Sequence, residues 1–282
     1  MLSACLAAPA DQGGNGALPT VSGDFGERPV LAFPDTEPSS ELEVEVLQAG
    51  DGVTTEAGDL LVVDYLGQVW DGAIFDASYD RGSPFAFALG SRRVIQGWDV
   101  GLAGRQVGSR VVLSIPPFLG YGSEGNPAAG IGGEDTLVFV VDILGAFEPT
   151  SAGSADAEPA AEAAGVGPDV GGDLGSQATV SVPAGTPEPD ATRRTVLARS
   201  DGEPVVEGSV VVQYAATYWD NSQAESTWDL GAPTLEPIGL GTAFDQLIGV
   251  PVGSRVLIEV PGNEQVPAVA LVVDIVAQVD AG

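Results

Sequence analysis

The sequence predicts an α+β, mainly antiparallel β fold: a half-open sheet wrapped around one short helix, in two tandem copies. Three observations predict it. Between Leu60 and Phe139 the apolar residues come in short Val/Leu/Ile-rich runs broken by turn residues, with a single helical candidate. Tyr65, Phe75, Phe85, Trp98, Tyr121 and Phe139 lie in separate segments of that stretch, as a pocket lined from several strands requires. A Val-rich strand ending in Tyr and followed by Trp-Asp recurs late in the chain.

The elements follow in order. Glu41 to Val46 alternates acid with apolar residues, the pattern of a half-exposed strand. Leu60 to Val69 is a Val/Leu-rich strand closed by the turn pair Asp71-Gly72. Phe85 to Leu89 is a further strand. Val94 to Leu102 is the helix, with Val94, Trp98 and Leu102 on one face. Val107-Gly108 turns the chain into a strand from Arg110 to Ile115, which Pro116-Pro117 ends because proline cannot donate to a ladder. Gly120 to Asp135 is a long Gly-rich loop, and Leu137 to Leu144 is the closing buried strand.

The repeat is visible as paired motifs. Trp70 and Trp219 are offset by 149 residues, and Val-Gly-Ser-Arg at Val107 and Val252 by 145. The closing strand at Leu137 is echoed by Ala-Leu-Val-Val-Asp-Ile-Val at Ala270. Pro19 to Glu27 is matched with Ala178 to Pro183 through the shared Thr-Val-Ser. The segment between is rich in Ala, Gly, Pro and acid and has no aromatic, so it reads as a flexible linker. The expected organisation is a tether over 1–18, a first domain over 19–148, a linker over 149–176 and a second domain over 177–282.

Composition narrows the chemistry. The chain has 282 residues, enough for two domains, and a net charge of -30 with no histidine and no lysine. That surface argues against nucleic acid, whose phosphates need Lys and Arg, and against lying flat on anionic lipid. Without His and with one Cys, nucleophile systems of the Ser-His-Asp or Cys-His kind, His/Cys zinc sites and an intrachain disulfide are excluded. No cofactor or metal is expected.

Leu2-Ser3-Ala4-Cys5 looks like a bacterial lipobox, whose cysteine would carry the lipid. Only four residues precede Cys5, so a charged start and apolar stretch would have to be encoded upstream of Met1. The small-residue run Leu6 to Leu18 suits a surface tether. A lipid-bearing Cys5 would anchor the protein outside the cytoplasmic membrane without spanning it; a chance match in an Ala-rich terminus would leave it cytoplasmic.

Six motifs in order carry a resemblance: VDYLG, FDASYDRGSPFAF, VIQGWDVGLAG, VGSR, LGYG and TLVFVVDIL. Together they resemble the FKBP-type peptidyl-prolyl cis-trans isomerases. The resemblance implies rotation of X-Pro peptide bonds in unfolded or nascent exported polypeptides. It also implies a macrolide of the FK506 or rapamycin type as a ligand of the same pocket. By resemblance, Trp98 forms the floor for the proline ring, and Tyr65, Phe75, Phe85 and Phe139 form the walls. Val94 and Ile95 come from the helix start, the Ile95 backbone N–H binding a substrate carbonyl. The Tyr121 hydroxyl donates to the substrate backbone, Asp76 stands at the rim, and Ile131 caps the pocket from the long loop.

The loop departs from the family pattern at Asn126 and at Gly132-Gly133, so a looser loop is expected. The second copy departs further. Tyr214 matches Tyr65, Ala224 and Glu225 fall at Phe75 and Asp76, Thr234 at Phe85, Ala243 at Trp98 and Leu271 at Phe139. The loop carrying Tyr121 has no counterpart, and the second copy is expected to keep the scaffold with the pocket dismantled. A non-catalytic binding module, chaperone or scaffold is the alternative reading.

Overall fold

The computed structural model describes residues 18–161 and 167–279. Cys5 and the tether lie outside these residues. Two short strands, β1 (Thr20–Ser22) and β2 (Val30–Ala32), form a hairpin. The first large sheet follows: β3 (Glu43–Gln48), β4 (Leu60–Val69), β5 (Ile74–Ala77), β6 (Phe85–Ala88), β7 (Arg110–Ile115) and β8 (Leu137–Phe147). Its order is β3-β7-β8-β4-β5, with β6 beside β5 on the same edge of β4, and every pairing is antiparallel.

Strand alternation separates the two faces. Leu61, Val63 and Tyr65 point to the inner face, where they pack with Trp98, Leu113, Phe139 and Val141. Val112, Val138 and Val140 point outward and are covered by Val21, Leu31 and Phe33 of the N-terminal segment, with Trp70 edge-on to Phe33 at 5.3 Å. The helix α1 (Gln96–Gly101) lies on the inner face. It approaches β7 closely because its β7-facing positions are glycine. A Cβ on Gly97 would meet the Ile115 side chain at 2.5 Å, and one on Gly101 would meet Leu113 at 2.4 Å. Val94 and Ile95, expected inside the helix, precede it: Ile95 is extended at φ -60° and ψ 147° and caps it.

A second sheet carries β9 (Glu158–Pro159), β12 (Arg193–Arg199), β13 (Gly208–Tyr218), β14 (Ala224–Ser226), β15 (Thr234–Ile238), β16 (Arg255–Val260) and β17 (Val269–Val279). Its order is β14-β13-β17-β16-β12-β9, with β15 beside β14 on β13. Apart from β9, this is the strand order of the first sheet. The hairpin of β10 (Asp169–Gly171) and β11 (Thr179–Ser181) covers its outer face through Val170 and Val180.

Two sequence expectations are corrected here. Residues 149–161 and 167–176 do not form a free linker: they lie against the second sheet. Ser154 N–H donates to Gly253 O at 2.8 Å, Pro159 pairs with Ala198, and Gly172 O and Ser176 O accept from Arg255 at 2.8 and 2.7 Å. The backbone carbonyls are satisfied by a distant arginine, which composition does not reveal. The repeat register also moves. Thr20–Ser22 is the first strand of its hairpin, whereas Thr179–Ser181 is the second strand of the other. The equivalent turns are Gly23-Asp24-Phe25-Gly26 and Gly172-Asp173-Leu174-Gly175, offset by 149 residues. All four of these glycines have positive φ, between 76° and 98°.

Those turns clasp matching buried ion pairs. Arg110 reaches Asp142 by two hydrogen bonds of 2.7 Å, and two further donors go to Gly23 O and Glu27 O. Arg255 reaches Asp274 at 2.6 and 2.8 Å, and donates also to the carbonyls of Gly172, Asp173 and Ser176. All four side chains are at most 4% exposed, and the multiple hydrogen bonds on each arginine offset their desolvation.

The sheets also touch each other. Leu60 and Val62 on the outer face of β4 pack with Val211, Leu235 and Val279, and Gln213 Nε2 donates to Pro149 O at 2.8 Å.

Candidate active site

A concave pocket of about 550 Å³ opens on the inner face of the first sheet. Trp98 lies at its base, 3% exposed, on the first turn of α1. Four rings surround it: Tyr65 at 5.1 Å, Phe139 at 5.2 Å, Phe87 at 5.3 Å and Phe85 at 6.2 Å between centroids. Most meet edge to face, the arrangement that aromatic quadrupoles favour. β4, β6 and β8 supply these rings from the inward-facing register of each strand, and Phe75 from β5 packs edge-on to Phe139 at 5.5 Å. Gly67 makes room for them, since a Cβ there would meet Phe139 at 2.7 Å and Phe75 at 2.8 Å.

The rim is polar on one side. The Tyr65 hydroxyl donates to Asp76, the Arg81 guanidinium donates to the other oxygen of Asp76, and Arg81 Nη2 donates to the Tyr65 hydroxyl at 3.0 Å. Arg81 also lies 5.5 Å from the centre of the Tyr65 ring, a cation–π distance. Burial, and behind it the Asp76 carboxylate, push the Tyr65 hydroxyl up to about 12, so it remains a donor. The turn that positions Arg81 is held from beneath. Tyr65 N–H donates to Ser78 Oγ at 2.9 Å, and Ser78 Oγ donates to Asp64 at 2.7 Å.

Val94, Ile95 and Tyr121 also line the pocket. The Ile95 N–H and the Tyr121 hydroxyl make no hydrogen bond among the described residues, and both border the pocket. Tyr121 is 40% exposed. The structure thus brings together Tyr65, Phe75, Asp76, Phe85, Val94, Ile95, Trp98, Tyr121 and Phe139. Ile131 does not line the pocket: it is 3% exposed within the core of the same sheet. The loop carrying it is tied, not loose. Asn126 and Ile131 exchange backbone hydrogen bonds of 2.9 and 3.0 Å, and Gly132 N–H donates to Asp135 at 2.7 Å. Sequence reasoning missed Arg81 and Phe87. Both sit inside the quoted FDASYDRGSPFAF motif, where the alternation Phe85-Ala86-Phe87 already put the second ring on the pocket face.

The second sheet holds a smaller pocket of about 280 Å³, lined by Tyr214, Glu225, Phe244 and Leu271 among others. The Tyr214 hydroxyl donates to Glu225 as Tyr65 does to Asp76. Thr227 supports it as Ser78 does, accepting from Tyr214 N–H at 2.9 Å. The expected match of Ala243 to Trp98 is corrected. Asp99 accepts from Gly90 N and Arg92 N, and Asp245 accepts from Gly239 N and Gly241 N in the same way. The residue before each aspartate is therefore the counterpart, so Phe244, 5.9 Å from the Tyr214 ring, stands where Trp98 does.

Among the described residues no group of three or more His, Cys, Asp or Glu could hold a metal ion, and no helix is long and apolar enough to cross a membrane. A half-open antiparallel sheet closed on a short helix, with an aromatic box and a Tyr–Asp–Arg rim, defines a prolyl-isomerase pocket. The model of the FKBP-type peptidyl-prolyl cis-trans isomerases matches residues 52–144, which contain the whole pocket. A curated FK506-binding protein of Streptomyces anulatus is 41% identical over 119 residues, 42% of this chain and 96% of that protein. Peptidyl-prolyl cis-trans isomerase FKBP15-2 of Arabidopsis thaliana is 45% identical over 101 residues, 36% of this chain and 61% of that protein. FK506-binding protein 2 of Dictyostelium discoideum is 43% identical over 113 residues, 39% of this chain and 83% of that protein. The chain belongs to the FKBP-type peptidyl-prolyl cis-trans isomerase family.

Proposed function

We propose that the pocket around Trp98 rotates X-Pro bonds of unfolded or nascent exported polypeptides. The supporting observation is the four-ring box around Trp98 beside an intact Tyr65–Asp76–Arg81 rim. Rotation about a peptide bond faces a barrier of about 18–20 kcal/mol, set by amide resonance. The planar amide is more dipolar than the twisted one. An apolar box that excludes water therefore disfavours the ground state more than the transition state. No nucleophile or metal enters this scheme. Trp98 seats the proline ring, Tyr65, Phe75, Phe85 and Phe139 wall it, and Val94 borders the entrance. The Ile95 N–H and the Tyr121 hydroxyl hold substrate carbonyls, so the chain on either side of the bond keeps its orientation during rotation. Asp76, fixed by Arg81, faces the amide as a preorganised dipole. The same box accepts a macrolide of the FK506 or rapamycin type. Ile131 acts through the core and not as a pocket cap.

The two sheets are read as tandem copies of one unit, the second non-catalytic. Cys5 is read as a lipid anchor that holds the protein outside the cytoplasmic membrane. The test of the central reading is isomerisation of a blocked Leu-Pro peptide by the full chain, followed by exchange NMR. Native protein accelerates exchange, and Asp76→Ala slows it while the circular dichroism spectrum is kept. A folded native protein that leaves the uncatalysed rate unchanged refutes it. Intact mass of membrane-extracted protein tests the anchor: a cysteine without lipid removes it.

A further inference from the structure

A second cavity, of about 840 Å³, lies between the two sheets. It adjoins the isomerase pocket, and Phe85 and Arg93 line both. At its other end Tyr214 lines both this cleft and the smaller pocket of the second sheet. We propose that the cleft is an extended subsite for the apolar chain flanking the substrate proline, with the second sheet as the holding surface. This rests on the isomerase reading above.

The walls have the chemistry of a polypeptide groove. All of β6 lines the cleft from one side, and Thr234 and Leu235 of β15 line it from the other. β6 pairs only with β4, and β15 only with β13, so among the described residues each keeps one edge without a partner strand. Unpaired edges take up an extended chain through backbone hydrogen bonds, whatever its sequence. Pro84, Ala86, Ala88 and Leu230 add an apolar lining.

Leu230 lines the cleft from the second sheet. It follows Asp229 and precedes Gly231 in the turn equivalent to Asp80-Arg81-Gly82, so it occupies the place of Arg81. There the first sheet uses a charge to clamp Asp76. The second sheet instead presents a leucine, 67% exposed, into the cleft. An apolar side chain on a groove that shares Phe85 and Arg93 with the substrate pocket fits an apolar polypeptide and not a solvated turn.

The test is calorimetric binding to the full chain. The probes are a blocked four-residue Leu-Pro peptide and the same peptide extended by six Ala, Val and Leu residues on its N- or its C-terminal side. A Gly/Ser extension of equal length controls for length. At least one apolar extension is expected to bind about tenfold tighter than the short peptide. Leu230→Glu abolishes that gain and leaves binding and turnover of the short peptide unchanged, while Leu230→Met retains it. Equal affinity of short and extended peptides, or a gain that survives Leu230→Glu, overturns the subsite. Absence of turnover with the short peptide would refute the isomerase reading alone, because the extension's effect on binding is read without catalysis.

Discussion

The two sheets share a scaffold and differ at the pocket. Both clasp a buried arginine–aspartate pair beneath a Gly-Asp-x-Gly turn, and both tie a tyrosine hydroxyl to a carboxylate at the pocket rim. At the site itself Trp98 becomes Phe244, Phe85 becomes Thr234, Phe87 becomes Glu236 and Arg81 becomes Leu230. The pocket falls from about 550 to about 280 Å³ and loses its cation. The buried clasp is thus common to both sheets, whereas the rings and the cation that shape the pocket differ. The buried pair satisfies hairpin carbonyls in each sheet, so both copies keep it. The rings of the aromatic box line the pocket and also fill the core of the first sheet, so they answer to a ligand and to packing.

The largest expected effect would break the equivalence of the scaffolds. Asp142→Ala and Asp274→Ala each leave a buried guanidinium without its counter-ion, which costs about 3–5 kcal/mol. Urea unfolding should report losses of that size for both; a loss in only one would mean that the two clasps do not serve the same purpose.

Trp98→Ala and Phe244→Ala sharpen the comparison at the pocket. Each removes a large ring from its core and costs about 3–5 kcal/mol, with Phe244, being only half-buried, at the low end. Isomerisation of a Leu-Pro peptide should vanish with the first and persist with the second. Activity lost in the Phe244 variant, at a temperature where it remains folded, would assign catalysis to both sheets.

A smaller change converts one rim toward the other. Arg81→Leu removes the cation that fixes Asp76, and kcat/KM should fall about tenfold, the scale of one charge-assisted hydrogen bond. An unchanged kcat/KM would make that rim structural.

The pH dependence reports on the rim tyrosines, whose pKa burial and a bonded carboxylate raise in both sheets. The unfolded tyrosine ionises near 10.0 and folded Tyr65 near 12, so the native state holds its proton longer. The stability this contributes is complete below pH 10 and declines as pH rises toward 12. Tyr65→Phe should flatten that part of the alkaline unfolding profile. The smallest effect concerns Glu236, whose pKa burial raises. Its charged form is disfavoured in the fold, so Glu236→Gln should stabilise the protein at pH 7. The gain should stay below about 1 kcal/mol, because the side chain is partly exposed and solvent screens it.

Much of the first sheet was legible along the chain. Leu60 to Val69 and Arg110 to Ile115 have the bounds expected of them, since period-two alternation and terminating turn residues are local signals. Nine pocket residues were legible too, because each sits in a motif of recognisable order. Ile131 was misplaced because a loop residue's burial depends on what the loop is tied to. The Asn126–Ile131 pairing turns that side chain into the core.

What the sequence by itself determined is the fold class and the exclusion of His- and Cys-based chemistry, which follow from residue type and short-range spacing, and the aromatic box, which the resemblance of the ordered motifs implies. Only the tertiary structure decided the register of the repeat, the docking of residues 167–176 and the cleft between the sheets. The reason is physical. Gly172, Asp173 and Ser176 are ordered by an arginine 79 to 83 residues away, and Phe244 is matched to Trp98 by hydrogen bonds to the neighbouring aspartates. Composition reports whether a segment can bury itself. It does not report whether a distant donor will satisfy its backbone.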